Sequence, residues 1–179
     1  MHPERLDHWL PRPQVQTHHR RRSAAAAPEA LWSAARGIRL ADTGTLGRLV
    51  RWRIPGTPRD LTYDEMFRRY PFTLLDEGDG YSISGLCGRI WTFQRDYPRL
   101  DEADDFRTWD RGGTVRVLFA HWVRPDDDGG AEIFSEARVD PVDRVASIRL
   151  RALWAVVGPF ERFVGMEPLT LAVRRAEGR

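Results

Sequence analysis

The sequence predicts an α+β fold in which a curved antiparallel β-sheet wraps around one long C-terminal helix. Between Val142 and Glu177, apolar residues recur at helical spacing in two adjoining stripes. Val145, Ile148, Ala152, Ala155, Val156 and Phe163 form one, and Ala146, Leu150, Leu153, Val157, Phe160 and Val164 form the other. A helix apolar over so much of its surface cannot lie on water and has to be gripped by a sheet. The residues before it supply that sheet as short strand-like runs, and two short helical patterns follow the first of them.

Composition bounds the remaining possibilities. A chain of 179 residues, 41% hydrophobic and 30% charged, fits one globular domain with a buried core and is too apolar for disorder. No run reaches the roughly 18 apolar residues of a membrane span, and the N-terminus lacks the apolar core of a signal peptide, so a cytoplasmic protein is expected. All 28 basic residues are arginine. The absence of lysine excludes Schiff-base and P-loop lysine chemistry, and the absence of asparagine excludes an N-glycosylation sequon. The lone cysteine, Cys87, rules out an internal disulfide and reads as a small apolar strand residue.

Element by element, residues 1–13 carry Pro3, Pro11 and Pro13 and read as an irregular lead-in to a single domain over 14–179. Gln14 to Ser23 is a first strand. Its His18 and His19 point to opposite faces and cannot chelate one metal ion together. Pro28, Glu29, Leu31, Trp32 and Ala35 predict a short helix ending at Gly37, and Leu46, Leu49 and Val50 a second. Thr62 with Glu65 is a capping-box pattern opening a third, closed before Pro71. Phe72–Glu77 and Tyr81–Leu86 flank Gly78-Asp79-Gly80 as a hairpin. Further strands are expected over Gly88–Phe93 and Phe106–Asp110. The acidic run 101–105 reads as a solvated loop and Asp126–Asp128 as a turn, so no metal site is expected. Thr114–Arg124 and Ala131–Asp140 are the longest strand runs. Gly158-Pro159 and Pro168 predict a final helix broken into two or three pieces.

This order of elements resembles the START-like, or SRPBCC, superfamily with its helix-grip fold. AAAAPEALWSAAR (24–36), GLCGRIW (85–91), SEARV (135–139) and VVGPFERFV (156–164) resemble strings of an uncharacterised bacterial subset of it, over roughly residues 14–177. The sequence departs from that subset at Ser135 and Ala137, which stand in place of two threonines, and at Pro168, where a helical tryptophan is common. The resemblance implies a cavity between sheet and helix. Members use it for lipid or hormone binding, for polyketide cyclisation or dehydration, or for pairing with oxygenase subunits, and the fold does not choose among these.

Strand register decides which side chains line such a cavity, because a one-residue slip inverts every side chain. With odd residues paired to odd, Val115, Val117, Phe119, His121 and Val123 share a face with Ile133, Ser135, Ala137 and Val139, leaving His121 and Ser135 as its polar groups. With odd paired to even, Glu136 and Arg138 join Phe119 and His121 and build an acid/base-capable pocket. The first gives the cleaner apolar surface for the helix.

The expected ligand-binding residues are therefore Trp91, Phe93, Val117, Phe119, His121 and Ser135, with His121, Glu136 and Arg138 as catalytic candidates. The leading expectation is a binder of a small apolar molecule, without cofactor. A cyclase or dehydratase using the same cavity is the alternative, in which His121 or Glu136 moves a proton and Arg138 steadies an oxyanion. A third reading is an interaction protein using the basic first 60 residues, which hold 11 arginines against 5 acids, although no nucleic-acid motif is present.

Overall fold

The computed structural model describes residues 3–53, 56–92 and 96–179. It contains helix α1 (Pro3–Trp9), strand β1 (Val15–Ser23), helices α2 (Pro28–Arg36), α3 (Thr45–Arg53) and α4 (Tyr63–Phe67), and strands β2 (Thr73–Gly78) and β3 (Tyr81–Gly88). Helix α5 (Ala103–Thr108), strands β4 (Val115–Pro125) and β5 (Ala131–Pro141) and helix α6 (Arg144–Ala176) follow. The strands form one antiparallel sheet in the order β1-β5-β4-β3-β2, the expected curved sheet with a long terminal helix on one side.

Both faces of the sheet are covered. On the inner face lie α2, α3, α4 and α6. Leu31 and Ala35 of α2 pack with Ile133 and with Leu169 and Ala172 of α6, while Met66 and Phe67 of α4 meet Phe119. On the outer face, Leu6, Trp9 and Leu10 of the N-terminal segment and Phe106 of α5 cover Ile83, Cys87, Leu118, Ala120, Trp122 and Phe134. Each face thus buries its own alternate set of strand residues.

Several expectations change here. Residues Pro3–Trp9, expected to be irregular, form a helix whose Leu6 is fully buried, because alternation leaves Leu118, Trp122 and Phe134 on a second apolar face that needs a cover. Phe106 sits in a helix rather than a strand. Asp105 accepts the amides of Asp101 and Glu102, so the acidic run caps the start of α5. The strand expected over Gly88–Phe93 ends at Gly88, whose φ of 145° suits glycine alone and whose Cβ would stand 2.1 Å from the Asp96 carbonyl oxygen. Phe93 itself lies outside the described residues.

Helix α6 is continuous over 33 residues, with Pro159 and Pro168 inside it. Pro159 and Ala155 are both exposed, so water can serve the Ala155 carbonyl that Pro159 leaves without a donor. A helix of that length runs about 50 Å, against roughly 35 Å along the 11-residue strands β4 and β5, so the sheet can grip only part of it. Accordingly Ala146 and Leu150 are buried near one end and Pro168, Leu169 and Ala172 near the other. From Arg151 to Pro159 no residue is buried. The stripe containing Val145, Ile148 and Val156, expected to be held, faces solvent at 53%, 58% and 71% exposure. Near the far end, the Glu167 carboxylate accepts the amides of Gly44, Thr45 and Leu46, capping α3.

Candidate functional site

Strand pairing follows the odd-with-odd register: Val117 faces Val139, Phe119 faces Ala137, His121 faces Ser135 and Val123 faces Ile133. Extending these rows through β3 and β1 adds Ser82 and His19 to the His121 row, and Ser84 and Thr17 to the Phe119 row. Because directly opposed residues share a face, one inner-face row reads Ser82, His121, Ser135, His19, and the next reads Ser84, Phe119, Ala137, Thr17.

α6 crosses these rows in sequence. Leu150 packs with Val117 and Val139, Glu161 bonds His19 Nε2 at 2.9 Å, and Leu169 packs with Ile133. The Phe119 row therefore lies under the stretch between Leu150 and Glu161, where no residue from Arg151 to Pro159 is buried. Phe119 and Ala137 are correspondingly half-buried, although their strands are central and covered on both faces, while Val117, Val139, His121, Ser135 and Ile133 on either side are buried. Ser84 is 1% exposed, and its Oγ has no hydrogen-bond partner. Thr17 Oγ1 and Trp91 Nε1 are likewise buried without partners.

His121 is 8% exposed. Its Nε2 lies 2.9 Å from the Tyr63 hydroxyl, which the capping box of Thr62 and Glu65 positions at the first turn of α4. Burial pushes the imidazole down to about 4, and Asp64 opposes this only weakly. Burial raises Tyr63, with Ser135 acting the other way. The pair is thus a neutral imidazole and a neutral phenol, each with hydrogen-bonding capacity determined by tautomer. Next to it is a cavity of about 20 Å³, room for about one water molecule, lined by Trp32, Ile38, Tyr63, Phe67, Ser82 and His121. Trp32, Arg36 and Asp64 join this cavity to an open groove of about 800 Å³ between α2 and the β2–β3 turn. Arg36 and Asp64 are ion-paired at 3.1 Å across the junction.

The other catalytic candidates lie elsewhere. Glu136 and Arg138 belong to the even set and face the outer side, under the N-terminal segment. Arg138 donates to Glu136 Oε1 at 2.6 Å, to Asp7 Oδ1 at 2.6 Å and to the Leu10 carbonyl at 2.9 Å. Burial works against the Arg138 charge, but the Asp7 and Glu136 carboxylates outweigh it and its pKa is raised. Gln16 donates to Glu136 at 2.9 Å, and His18 Nδ1 lies 3.2 Å from its other oxygen. The structure therefore brings His121, Ser135 and Phe119 together on one face, with Val117 and the half-buried Trp91 beside them, and separates these from Glu136 and Arg138 by the thickness of the sheet.

Sequence reasoning missed Tyr63, Ser82, Ser84 and Thr17. The serines were signalled by their alternation with Ile83 in Tyr81–Gly85, which puts both on one face. Tyr63 carried no comparable sign, since the first residue of a helix can point in several directions. In the first 60 residues, Arg5, Arg20, Arg22, Arg36 and Arg39 are ion-paired to Asp76, Glu132, Asp126 and Asp128, Asp64 and Asp42. This leaves less of an open basic patch than the sequence alone suggests. No helix among the described residues is long and apolar enough to cross a membrane, and among them no cluster of three or more potential metal ligands occurs.

No family model matches the chain, and no curated protein matches it significantly. Solved structures of related shape include a hypothetical protein from Helicobacter pylori, 9% identical over 98% of this chain and 95% of that one, with a TM-score of 0.42. A protein from Thermus thermophilus is 9% identical over 92% and 98%, with a TM-score of 0.35. The Zhui aromatase/cyclase from Streptomyces sp. R1128 is 16% identical over 91% and 93%, with a TM-score of 0.34. At these identities and scores the likenesses carry neither activity nor ligand to this chain.

Proposed function

We propose that the protein binds a small apolar molecule between the inner face of the sheet and α6. One observation carries this reading. The Phe119–Ala137 pair, central in the sheet, is only half-buried beneath the stretch of α6 in which no residue from Arg151 to Pro159 is fully buried, while the Val117–Val139 and His121–Ser135 pairs on either side are buried. Phe67 and Phe72 pack against one side of Phe119, and a sheet covered on both faces has no structural reason to leave the rest of this pair open, since apolar surface there is stabilised by contact at ~25 cal/mol per Å². The neutral Tyr63–His121 pair one row away supplies a hydrogen-bonding end to an otherwise apolar site, as ligand pockets commonly do.

Native mass spectrometry of the purified protein, before and after organic extraction, tests the reading. An extractable adduct is expected, and Ala137→Trp, which fills the space, should abolish it while leaving the circular dichroism spectrum unchanged. Bare spectra, together with no saturable binding of apolar probes, overturn the proposal.

A catalytic role is the second reading, favoured by the 2.9 Å contact between a phenol and an imidazole beside a cavity. In it Tyr63 gives a proton to a ligand oxygen and His121 takes one. Glu136 and Arg138, on the far face, have no part. An imidazole held near 4 is a weak base at neutral pH, so binding is the preferred function.

A further inference from the structure

The side of α6 turned away from the sheet is apolar and basic at once. At about 100° per residue, Val145, Ile148, Ala152, Ala155 and Val156 fall on one stripe roughly 17 Å long, and all five are exposed. Arg144 and Arg151 border the stripe on one side and Arg149 on the other, and all three are exposed. From Arg144 to Phe160 the sequence contains no acid. The Asp143 carboxylate, just ahead of the stripe, accepts the amides of Gly113 and Ala146. Among the described residues none of the three arginines forms an ion pair. Arg149 stands over the Trp91 ring at 5.9 Å, and Arg151 donates to the Ser147 hydroxyl at 3.2 Å. Elsewhere the arginines are matched with acids, as where Arg22, Arg68 and Arg138 each meet two carboxylates.

Helix α3 extends this surface. It covers the same face of the sheet as α6, with Leu46 buried beneath it and Val50 in the cluster containing Phe119. On the opposite side of the same helix stand Arg48 and Trp52, with Trp52 at 63% exposure and Leu49 exposed beside it. The outward sides of both helices therefore open away from one sheet face.

We propose that this surface docks on a bilayer carrying anionic lipid headgroups. An apolar stripe bordered only by cations is the pattern of a helix lying in a membrane interface, where the apolar row enters the acyl boundary and the flanking guanidinium groups reach outward to phosphates and carboxylates. Trp52 supplies the amphipathic ring that such interfaces favour. The stripe lies along the crest of a helix, and that convex shape suits a plane better than a peptide seeking a groove. Nucleic acid would match the arginines and leave the apolar row uncovered. A second copy of the chain is disfavoured by charge: two-fold pairing about the middle of the stripe brings the two Arg151 side chains together and offers a carboxylate to neither.

Co-sedimentation of the full chain with vesicles tests this. Phosphatidylcholine vesicles containing about 30% phosphatidylserine should bind the protein at least about tenfold more tightly than phosphatidylcholine alone, and the difference should shrink as NaCl is raised from about 0.1 to about 0.5 M. Arg149→Gln combined with Arg151→Gln should weaken the anionic vesicles about tenfold, and Ile148→Asp should abolish binding. These side chains are exposed, so the melting temperature should stay unchanged; Val156→Asp, at a still more exposed position, replaces Ile148→Asp if that variant does not fold. Ala137→Trp, which fills the interior, should leave vesicle binding intact, so docking is judged apart from the ligand reading. Equal binding to both kinds of vesicle, no binding, binding retained by Ile148→Asp, or binding lost in Ala137→Trp overturns the proposal. A dimer in sedimentation velocity that Ile148→Asp dissociates gives the face to a second copy and overturns it as well. An acidic amphipathic helical peptide that binds where vesicles do not gives the face to a protein partner, with the same result.

Discussion

His121 Nε2 lies 2.9 Å from the Tyr63 hydroxyl, and both side chains are withdrawn from water. A histidine held near 4 in the folded chain, against 6.5 as its ordinary value, favours the unprotonated state. The unfolded chain binds this proton first as pH falls, so the contribution is fully present above about 6.5 and is lost progressively down to about 4. The full loss is roughly 3 kcal/mol. Urea denaturation at a series of pH values should show stability falling over that window, and His121→Gln, which keeps a hydrogen-bonding group but does not titrate, should flatten the profile. Parallel curves for the two proteins would show that His121 does not govern this dependence.

The Arg138 cluster ties the N-terminal segment to the outer face. Arg138→Met leaves Glu136 buried without its main partner and should cost roughly 3–5 kcal/mol in denaturant unfolding. Adding Glu136→Leu removes the stranded charge and should restore most of the loss. If the double variant is as unstable as the single one, the cost comes from packing and not from an unpaired carboxylate.

Gly165 is helical, so Gly165→Ala would ordinarily stabilise by about 1 kcal/mol. Here the added Cβ would stand 2.5 Å from the His19 ring, which Glu161 fixes. The expected sign is therefore reversed, with a loss of roughly 1–3 kcal/mol from overpacking. Combining it with His19→Ala should recover the helical gain. Thermal melts of the two variants check this, and a stabilised single variant would contradict the close approach.

Cys87 is fully buried, and burial pushes its thiol up to about 12, with Arg116 opposing and Asp105 adding to the rise. At pH 8 the folded protein should be inert to a thiol-specific chromogenic reagent and should release one equivalent only on denaturation. Rapid stoichiometric labelling of the native protein would rule out this burial.

The parts of the fold readable in sequence are those where one strong local signal acts alone. Pro28 with Leu31 and Ala35 gave α2, Thr62 with Glu65 gave α4, and matching apolar alternation gave the β4–β5 register that puts His121 opposite Ser135. Tertiary demands override weaker signals. Pro3–Trp9 becomes helical because Trp122 and Phe134 need covering, and Phe106 becomes helical because Asp105 caps its helix. The Gly158-Pro159 signal in α6 did not break it, because Ala155 and Pro159 face water, while Pro168 lies buried within the same continuous helix. Of the candidate site, the inner-face side chains of β4 and β5 were legible from alternation. The contact of Tyr63 with His121 joins residues 58 positions apart and depends on how α4 settles on the sheet, which no local pattern encodes.

The Glu167 carboxylate joins two elements that border the interior. It takes the free amides that open α3 while belonging to α6, and α3 sends Val50 into the cluster containing Phe119. If α6 swings outward to admit a guest, it must either release α3 or carry it along. Such a movement is then a coupled one with one carboxylate as its hinge pin, and hydrogen exchange in residues 45–50 becomes a gauge of whether α6 has left the sheet.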